Sequence, residues 1–199
     1  MGLSKFLYCL ITDRRQYRQP LHEVAELAEE AGVDYFQLRE KDLQPSELLQ
    51  IARHLRPFLS RTRLIVNGHL DVAIAAGADG VHLQKENLPV SAVRKKFPGL
   101  LIGYSAHSRE ELWTAEQSGA SYVFLSPVFP PRSKDSAVPP LGCKTVASWI
   151  DGVKIPVLGL GGIHRSNMED LRKTGCSGAA GISLFIVDGQ FSSNGMVVS

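Results

Sequence analysis

The chain has 199 residues, a length that permits one large domain or two small ones. Hydrophobic residues make up 44% of the sequence and charged residues 21%, which is typical of a globular protein and excludes an intrinsically disordered one. The formal net charge is only +2, so the overall charge gives no support for nucleic-acid binding, and any anion site must be local.

Short apolar segments alternate with helical patterns along the chain. An apolar run at 7–11 is followed by a pattern over 20–31 in which apolar residues recur at three- and four-residue spacing, as in a helix. A second run at 35–38 precedes a helix predicted over 45–59. Further strands are predicted at 64–66, 80–83, 101–105, 122–125, 157–160 and 179–182, with helices at 70–76, 90–97, 109–118, 145–150 and 167–174. This alternation is typical of a parallel sheet.

A glycine at the end of a helix, followed by an apolar strand, recurs at Gly32, Gly77, Gly119 and Gly175. These glycines suit the left-handed backbone conformation that ends a helix, and each interval between them contains two strand–helix units. Four such quarters predict a (β/α)8 TIM barrel. A doubly wound open sheet is the structural alternative, but it would not require eight units or this repeat.

The barrel is predicted to form a single domain over residues 1–199, with its core at about 6–186. The tail over 187–199 does not have the pattern of an amphipathic helix, so the eighth helix is predicted to be short or missing. The apolar surface that this helix would cover is then expected to contact the tail itself, a neighbouring helix or a second subunit.

Signals for targeting, disulfides and metals are weak. Cys9, Cys143 and Cys176 form no CxxC spacing, which argues against a disulfide framework and predicts a reducing, cytoplasmic location. The N-terminal apolar run is too short for a signal peptide, and no segment approaches the roughly 18 apolar residues of a membrane span, so we expect no membrane association. No HxH or HExxH spacing indicates a zinc site.

The residues that follow the strands deserve most weight, because active sites of such barrels lie at the carboxyl ends of the strands. Gly161 and Gly162 end the seventh predicted strand, and Ser183 follows the eighth. Barrels often bind phosphate at this place through backbone N–H groups, and glycine lets the backbone approach an anion closely. A plain tight turn is the alternative interpretation of the glycine pair.

Cations also converge on the predicted mouth of the barrel. Arg39 and Lys41 lie two residues apart at a strand end, so both side chains are expected to point over the pore and form a local anion pocket. For any single lysine, a solvated loop charge is the alternative. His107 follows the fifth strand, where it is a candidate acid or base, a ligand-positioning group or a structural residue, whereas His82 is expected to be a packed barrel residue.

Six short segments occur in order at these strand ends. They are QLREKD at 37–42, VNG at 66–68, GVHLQKEN at 80–87, GYSAH at 103–107, SPVFPPRSK at 126–134 and GLGGI at 159–163. Together they resemble the thiamine phosphate synthase/TenI family of (β/α)8 barrels, over roughly residues 6–186. Each segment alone is a modest signal, but six in register are specific.

The resemblance implies a reaction and a set of binding residues. In the synthases of this family, a pyrimidine diphosphate loses pyrophosphate and is captured by the nitrogen of a thiazole phosphate, while cations stabilise the departing charge. The implied pyrophosphate and pyrimidine contacts are Arg39, Lys41, Lys134, Asn67 and Ser105, with Ser133 on the same loop as Lys134. The implied thiazole phosphate contacts are Gly161, Gly162, Ile182 and Ser183.

The sequence departs from the family's synthases at the Mg²⁺ ligands. Gly68 and Asn87 replace the two aspartates that hold the ion, so no cofactor is predicted, and Mg²⁺ is expected only if the chain is a synthase. The TenI branch, which includes a thiazole tautomerase, has no such metal requirement. The histidine that this branch can place after strand six corresponds to Pro127, so proton transfer would fall to His107 or Glu40.

The leading prediction is a TenI-like, metal-independent thiazole tautomerase of thiamine biosynthesis, with His107, Glu40 and Lys134 as the catalytic candidates. Thiamine phosphate synthase is the alternative enzyme, and a non-catalytic ligand-binding or regulatory barrel is the third hypothesis. The predicted partners are a thiazole phosphate or thiamine phosphate, with no nucleic acid and no membrane. A homodimer is an expectation from the family alone.

Overall fold

The computed structural model describes residues 5–130 and 138–196. Eight parallel strands close into a barrel in the order of the sequence, because the first strand pairs with both the second and the eighth. The strands are β1 Leu7–Ile11, β2 Tyr35–Leu38, β3 Arg63–Asn67, β4 Gly80–Leu83, β5 Leu101–Ala106, β6 Tyr122–Leu125, β7 Val157–Leu160 and β8 Gly178–Gly181. The predicted (β/α)8 barrel is therefore confirmed, and the open sheet is excluded.

Seven α-helices in the described part of the chain connect successive strands. They are α1 Leu21–Ala31, α2 Pro45–Leu55, α3 Leu70–Ala75, α4 Val90–Lys96, α5 Arg109–Gln117, α6 Gly142–Ile150 and α7 Met168–Lys173. The prediction that the second helix continues to residue 59 is wrong. The α-helix ends at Leu55, and a 3-10 turn follows at Arg56–Phe58, because the proline at position 57 lacks the N–H that a further α-helical turn needs. No helix among the described residues is both long and apolar enough to cross a membrane.

The core has two layers because successive residues of a strand point to opposite faces of the barrel wall. In β1, Tyr8 and Leu10 pack outward against the helices, whereas Cys9 points inward. In β6, Tyr122 and Phe124 point inward and are fully or almost fully buried. The inward residues pack against one another inside the barrel, so the interior is a packed core.

The C-terminal segment takes the place of an eighth α-helix. A 3-10 turn at Ser183–Phe185 leads into a hairpin of two short strands, β9 Ile186–Val187 and β10 Gln190–Phe191. The hairpin packs on the start of α1, where the N–H of Phe191 donates to the side-chain oxygen of Gln19 over 2.8 Å. No α-helix follows Ser183–Phe185 in the chain as described to residue 196, so the predicted loss of this helix is confirmed, and the tail itself covers the exposed wall.

Candidate functional site

The carboxyl ends of the strands surround a cavity of about 390 Å³. Its walls come from nearly every strand end, which is the arrangement expected for the active site of this architecture. The lining residues are Ile11, Gln37, Arg39, Asn67, His82, Gln84, Lys85, Glu86, Ser105, His107, Glu111, Phe124, Ser126, Leu160 and Ile182. Five of the predicted site residues are among them: Arg39, Asn67, Ser105, His107 and Ile182.

The remaining predicted site residues fall into three groups. Lys41 and Glu40 line a smaller adjoining cleft of about 280 Å³ that shares Arg39 and Asn67 with the main cavity. Gly161, Gly162 and Ser183 immediately follow lining residues of the seventh and eighth strands. Ser133 and Lys134, with the neighbouring Arg132, lie outside the described residues and remain predictions from the sequence.

Within the described part of the chain, Arg39 is one of two cations, with Lys85, that line the cavity. Its backbone N–H donates to Thr12 Oγ1 over 2.9 Å, which fixes the end of β2 against the end of β1. Its guanidinium is half-buried and has no carboxylate or hydrogen-bond partner among the described residues. Burial lowers the pKa of Arg39, while the charges of Asp13 and Glu40 oppose that effect. A partly desolvated, unpaired arginine at a cavity is well suited to bind an anion.

Glu40, one residue further along, is engaged in a structural role. Its carboxylate accepts hydrogen bonds from Thr12 Oγ1 over 2.6 Å, from the N–H of Arg14 over 3.0 Å and from Arg14 Nη1 over 3.1 Å. The side chain is almost completely buried and does not line the main cavity. Removing it would leave the Thr12 hydroxyl and an Arg14 donor without their partner. This geometry leaves His107, rather than Glu40, as the candidate for proton transfer in the cavity.

His107 is held in one orientation at the cavity wall. Its Nδ1 lies 2.9 Å from the carbonyl oxygen of Ser126, and a carbonyl only accepts, so Nδ1 carries the proton and donates it. Its backbone N–H donates to Glu111 Oε2 over 2.7 Å. In a neutral ring of this orientation the lone pair is on Nε2, where it can accept a proton from a bound ligand.

Gln37 is a cavity residue that the sequence interpretation missed. Its side chain is 1% exposed and approaches the Tyr122 hydroxyl closely enough to lower the pKa of that group against the larger effect of burial, but its Nε2 completes no hydrogen bond of standard geometry among the described residues. The buried Oδ1 of Asn67 is similarly unpartnered. Because an unsatisfied buried polar atom costs free energy, this donor and this acceptor mark the positions of ligand atoms or ordered water. The signal was present in the sequence: Gln37 lies on β2 two residues before Arg39, which directly follows the last residue of that strand, and both line the cavity.

The glycine pair after β7 allows two loops to touch. The N–H of Val128 donates to the Leu160 carbonyl over 2.9 Å, and the N–H of Phe129 donates to the Gly161 carbonyl over 3.1 Å. Gly162 has a φ of +64°, and a Cβ at this position would lie 2.6 Å from the Phe129 carbonyl oxygen. Close packing thus requires glycine here. The N–H of Gly162 makes no hydrogen bond to another described residue, so it remains available to an anion.

Comparison with known proteins places this barrel in a family. The family model described as thiamine monophosphate synthase matches residues 8–185. The chain belongs to this family. A putative thiamine-phosphate synthase 2 of Aquifex aeolicus is 40% identical over 178 residues, which cover 88% of this chain and 95% of that protein. A putative thiamine-phosphate synthase of Geobacter sulfurreducens is 41% identical over 192 residues, which cover 94% of this chain and 90% of the Geobacter protein.

A solved structure supports the same assignment. The thiamine phosphate pyrophosphorylase from Pyrococcus furiosus superposes with a TM-score of 0.80 at 34% identity, and the match covers 92% of this chain and 88% of that one. The predicted resemblance to the thiamine phosphate synthase/TenI family is therefore confirmed. The names of these relatives favour the synthase, the alternative in the sequence interpretation, over the tautomerase, which was its leading prediction.

The residues at the family's Mg²⁺ position do not fit that ion. Gly68 and Asn87 meet in space: Asn87 Nδ2 donates to the Gly68 carbonyl over 3.2 Å, and Asn87 Oδ1 accepts from the N–H of Gln84 over 2.8 Å. Neither position carries the carboxylate that Mg²⁺ prefers, and the only side-chain oxygen is already engaged. Over the described ranges, no group of three or more His, Cys, Asp or Glu residues could hold a metal.

Proposed function

We propose that this chain is an enzyme of thiamine biosynthesis that binds a thiazole phosphate at the mouth of the barrel and joins it to a pyrimidine diphosphate, forming thiamine phosphate and releasing diphosphate. The similarity to proteins named thiamine-phosphate synthase extends over about nine-tenths of the chain, which favours this reaction. The observation in the molecule that carries the proposal is the unpaired, half-buried Arg39 in a cavity of suitable size.

Each step of this reaction has a matching group in the chain. The diphosphate that leaves the pyrimidine is strongly anionic, and Arg39 and Lys85 line the cavity in which its charge would develop. Lys41 in the adjoining cleft adds a third cation. The free N–H of Gly162 and the start of the 3-10 turn at Ser183 offer backbone donors to the phosphate of the thiazole. No step is assigned to Mg²⁺, because the residues at its family position do not fit it.

The test is product formation by the purified chain. We expect thiamine phosphate and diphosphate to appear only when both the pyrimidine diphosphate and the thiazole phosphate are supplied. Arg39→Gln should slow the reaction, and Lys173→Gln, which removes an exposed charge on α7, should not. A folded chain that forms no thiamine phosphate, with Mg²⁺ supplied or chelated, would contradict the synthase proposal.

A second candidate reaction is the metal-independent tautomerisation of a thiazole carboxylate phosphate. The neutral contact between Gly68 and Asn87 favours it, since a proton transfer needs no carboxylate-bound Mg²⁺. His107 is positioned for such a step, because its Nδ1 donates to the Ser126 carbonyl and its Nε2 is free to exchange a proton with the ligand.

The tautomerase candidate has a separate assay. The thiazole carboxylate phosphate is supplied alone, and its aromatisation is followed by absorbance in the presence of a chelator. His107→Gln should abolish the change, and His54→Gln, an exposed position on α2, should retain it. An equal rate in His107→Gln would exclude His107 as the proton-transfer group. Binding of thiazole phosphate without turnover in either assay would instead support a ligand-binding barrel.

A further inference from the structure

Three side chains form a hydrogen-bonded network from the barrel interior to the cavity. The hydroxyl of Tyr122 lies 3.3 Å from His82 Nδ1, and His82 Nε2 lies 2.8 Å from Ser105 Oγ. Tyr122 is buried in the barrel and does not line the cavity, His82 is buried at the cavity floor, and Ser105 lies at the cavity wall. The network therefore connects a fully enclosed hydroxyl to a group that can touch a ligand.

The barrel wall is built to allow this contact. In the strand register, His82 of β4 lies beside Gly103 of β5, and Gly103 lies beside Tyr122 of β6. A Cβ at position 103 would overlap both rings, so the glycine lets the histidine and the tyrosine meet across the intervening strand. His82 also stacks on Phe124 with 4.3 Å between ring centroids, which fixes the plane of the imidazole.

The histidine carries a single proton at neutral pH. Burial lowers the pKa of His82 to about 3, and the charge of Arg39 acts in the same direction. Burial also raises the pKa of Tyr122 well above its usual value, so its hydroxyl stays protonated. The imidazole is thus neutral, and its proton lies on either Nδ1 or Nε2.

Hydrogen-bond satisfaction selects one of the two tautomers. If Nδ1 carried the proton, it would donate to the tyrosine oxygen, which the Gln37 amide already approaches as a donor that lowers the pKa of Tyr122 against the larger effect of burial, and the buried O–H of Tyr122 would have no acceptor among the described residues. If Nε2 carries the proton, Tyr122 donates to Nδ1, and Nε2 donates to Ser105 Oγ, so the buried donors of Tyr122 and His82 are both paired. The first arrangement leaves a buried hydroxyl unsatisfied, which costs free energy, so the second arrangement is favoured.

We propose that Tyr122 is a positioning residue that holds His82 in the Nε2–H tautomer, so that the Ser105 hydroxyl accepts from His82 and donates its own proton to the ligand. Because the Ser105 proton is then not used by His82, the ligand atom favoured beside Ser105 is a hydrogen-bond acceptor: a ring nitrogen, a carbonyl, a carboxylate or a phosphate oxygen. This selectivity rests on the proposed function in one respect: the ligand must bind in this cavity.

The tautomer is measured directly by NMR on the ligand-free chain. Two-bond ¹H–¹⁵N spectra of the ¹⁵N-labelled protein distinguish protonated from unprotonated ring nitrogens, and His82→Gln assigns the His82 signals among the six histidines. We expect His82 as the pure Nε2–H form, and a mixture in Tyr122→Phe. Tyr35→Phe is the matched control, because Tyr35 stacks on Tyr122 at 5.0 Å but is not part of the network. A His82 with its proton on Nδ1, or an unchanged tautomer in Tyr122→Phe, would overturn the proposal.

Calorimetric titration with the pyrimidine diphosphate tests the consequence for the ligand. Tyr122→Phe and Ser105→Ala are each expected to weaken binding by about 3- to 10-fold, the range for one hydrogen bond. Because Tyr122 acts through Ser105, adding Tyr122→Phe to Ser105→Ala should weaken binding no further. Additive losses would mean that Tyr122 acts through packing, against the proposal. If neither the wild-type chain nor any variant binds the pyrimidine diphosphate, the proposed function fails. The NMR measurement of the His82 tautomer still tests the network in that case.

Discussion

Replacing Arg39 by glutamine should weaken the binding of inorganic pyrophosphate sharply without destabilising the fold. Glutamine keeps a polar side chain of similar length but removes the charge. Because the guanidinium has no ion-pair partner among the described residues, its loss breaks no internal salt bridge. Because Arg39 is partly desolvated in the fold, removing its charge also removes a desolvation cost, so the melting temperature should stay equal or rise.

The magnitude follows from the position of the guanidinium. Two unit charges 4 Å apart attract by about 4 kcal/mol at the effective dielectric constant of a protein surface, before the cost of desolvating the anion. A hydrogen bond to a charged group contributes a net of about 1.5–3 kcal/mol, which corresponds to a loss of roughly 10- to 150-fold in affinity. Direct contact of the anion with Arg39 predicts a value within that range.

The assay is isothermal titration with pyrophosphate at low ionic strength, repeated at higher salt. Lys173→Gln is the matched control, since it removes one positive charge from an exposed position on α7, away from the cavity. The affinity gap between wild type and Arg39→Gln should shrink as salt screens the interaction. An affinity within twofold of wild type for a folded Arg39→Gln would mean that the anion does not contact Arg39.

Three further predictions concern the loops and the barrel interior. Gly162→Ala should lower the free energy of unfolding in urea by at least about 1 kcal/mol more than Gly77→Ala does. The two glycines have nearly the same positive φ, but only at Gly162 would a Cβ meet neighbouring backbone atoms. Equal losses in the two variants would contradict the close loop packing. The double variant Gly68→Asp, Asn87→Asp should bind Mg²⁺ in a calorimetric titration, and the wild type should not, because a Cβ at position 68 would lie only 3.7 Å from the Asn87 side chain. A wild type that binds Mg²⁺ equally well would show that these two positions do not control Mg²⁺ binding. His82 is neutral in the fold but becomes protonated in the unfolded chain below about pH 6.5, so the free energy of unfolding should fall by up to about 1.4 kcal/mol per pH unit between pH 6.5 and 3. In His82→Gln, the free energy of unfolding should depend less steeply on pH over this range. An identical slope would contradict the assigned pKa.

The barrel was predictable because its signal is local and repeated. Each helix-ending glycine and each short apolar strand could be recognised within about ten residues, and their alternation fixed both the number of strands and their order. The cavity position of Arg39 followed from the same reasoning. The matching orientation of Lys41 stays a prediction: β2 ends at Leu38 and residue 41 lies in a turn, where strand alternation no longer applies, but Lys41 lines the adjoining cleft together with Arg39.

The structural role of Glu40 depends on contacts that are distant in the sequence. Its partners, Thr12 and Arg14, lie 28 and 26 residues away and meet it only when β1 and β2 pair. The network of Tyr122, His82 and Ser105 similarly requires three strands to be in register. Such tertiary contacts decide which polar side chains are free for chemistry, and no local pattern in the sequence reveals them.

The most direct test of the proposed site is a crystal structure of the chain with thiazole phosphate bound. The phosphate oxygens should accept hydrogen bonds from the backbone N–H groups of Gly162 and Ser183, and the thiazole ring should lie in the cavity beside Ile182. Both candidate reactions require this placement, so it tests the site independently of the chemistry. A thiazole phosphate bound elsewhere on the chain, or none bound at saturating concentration, would contradict the assignment of this cavity.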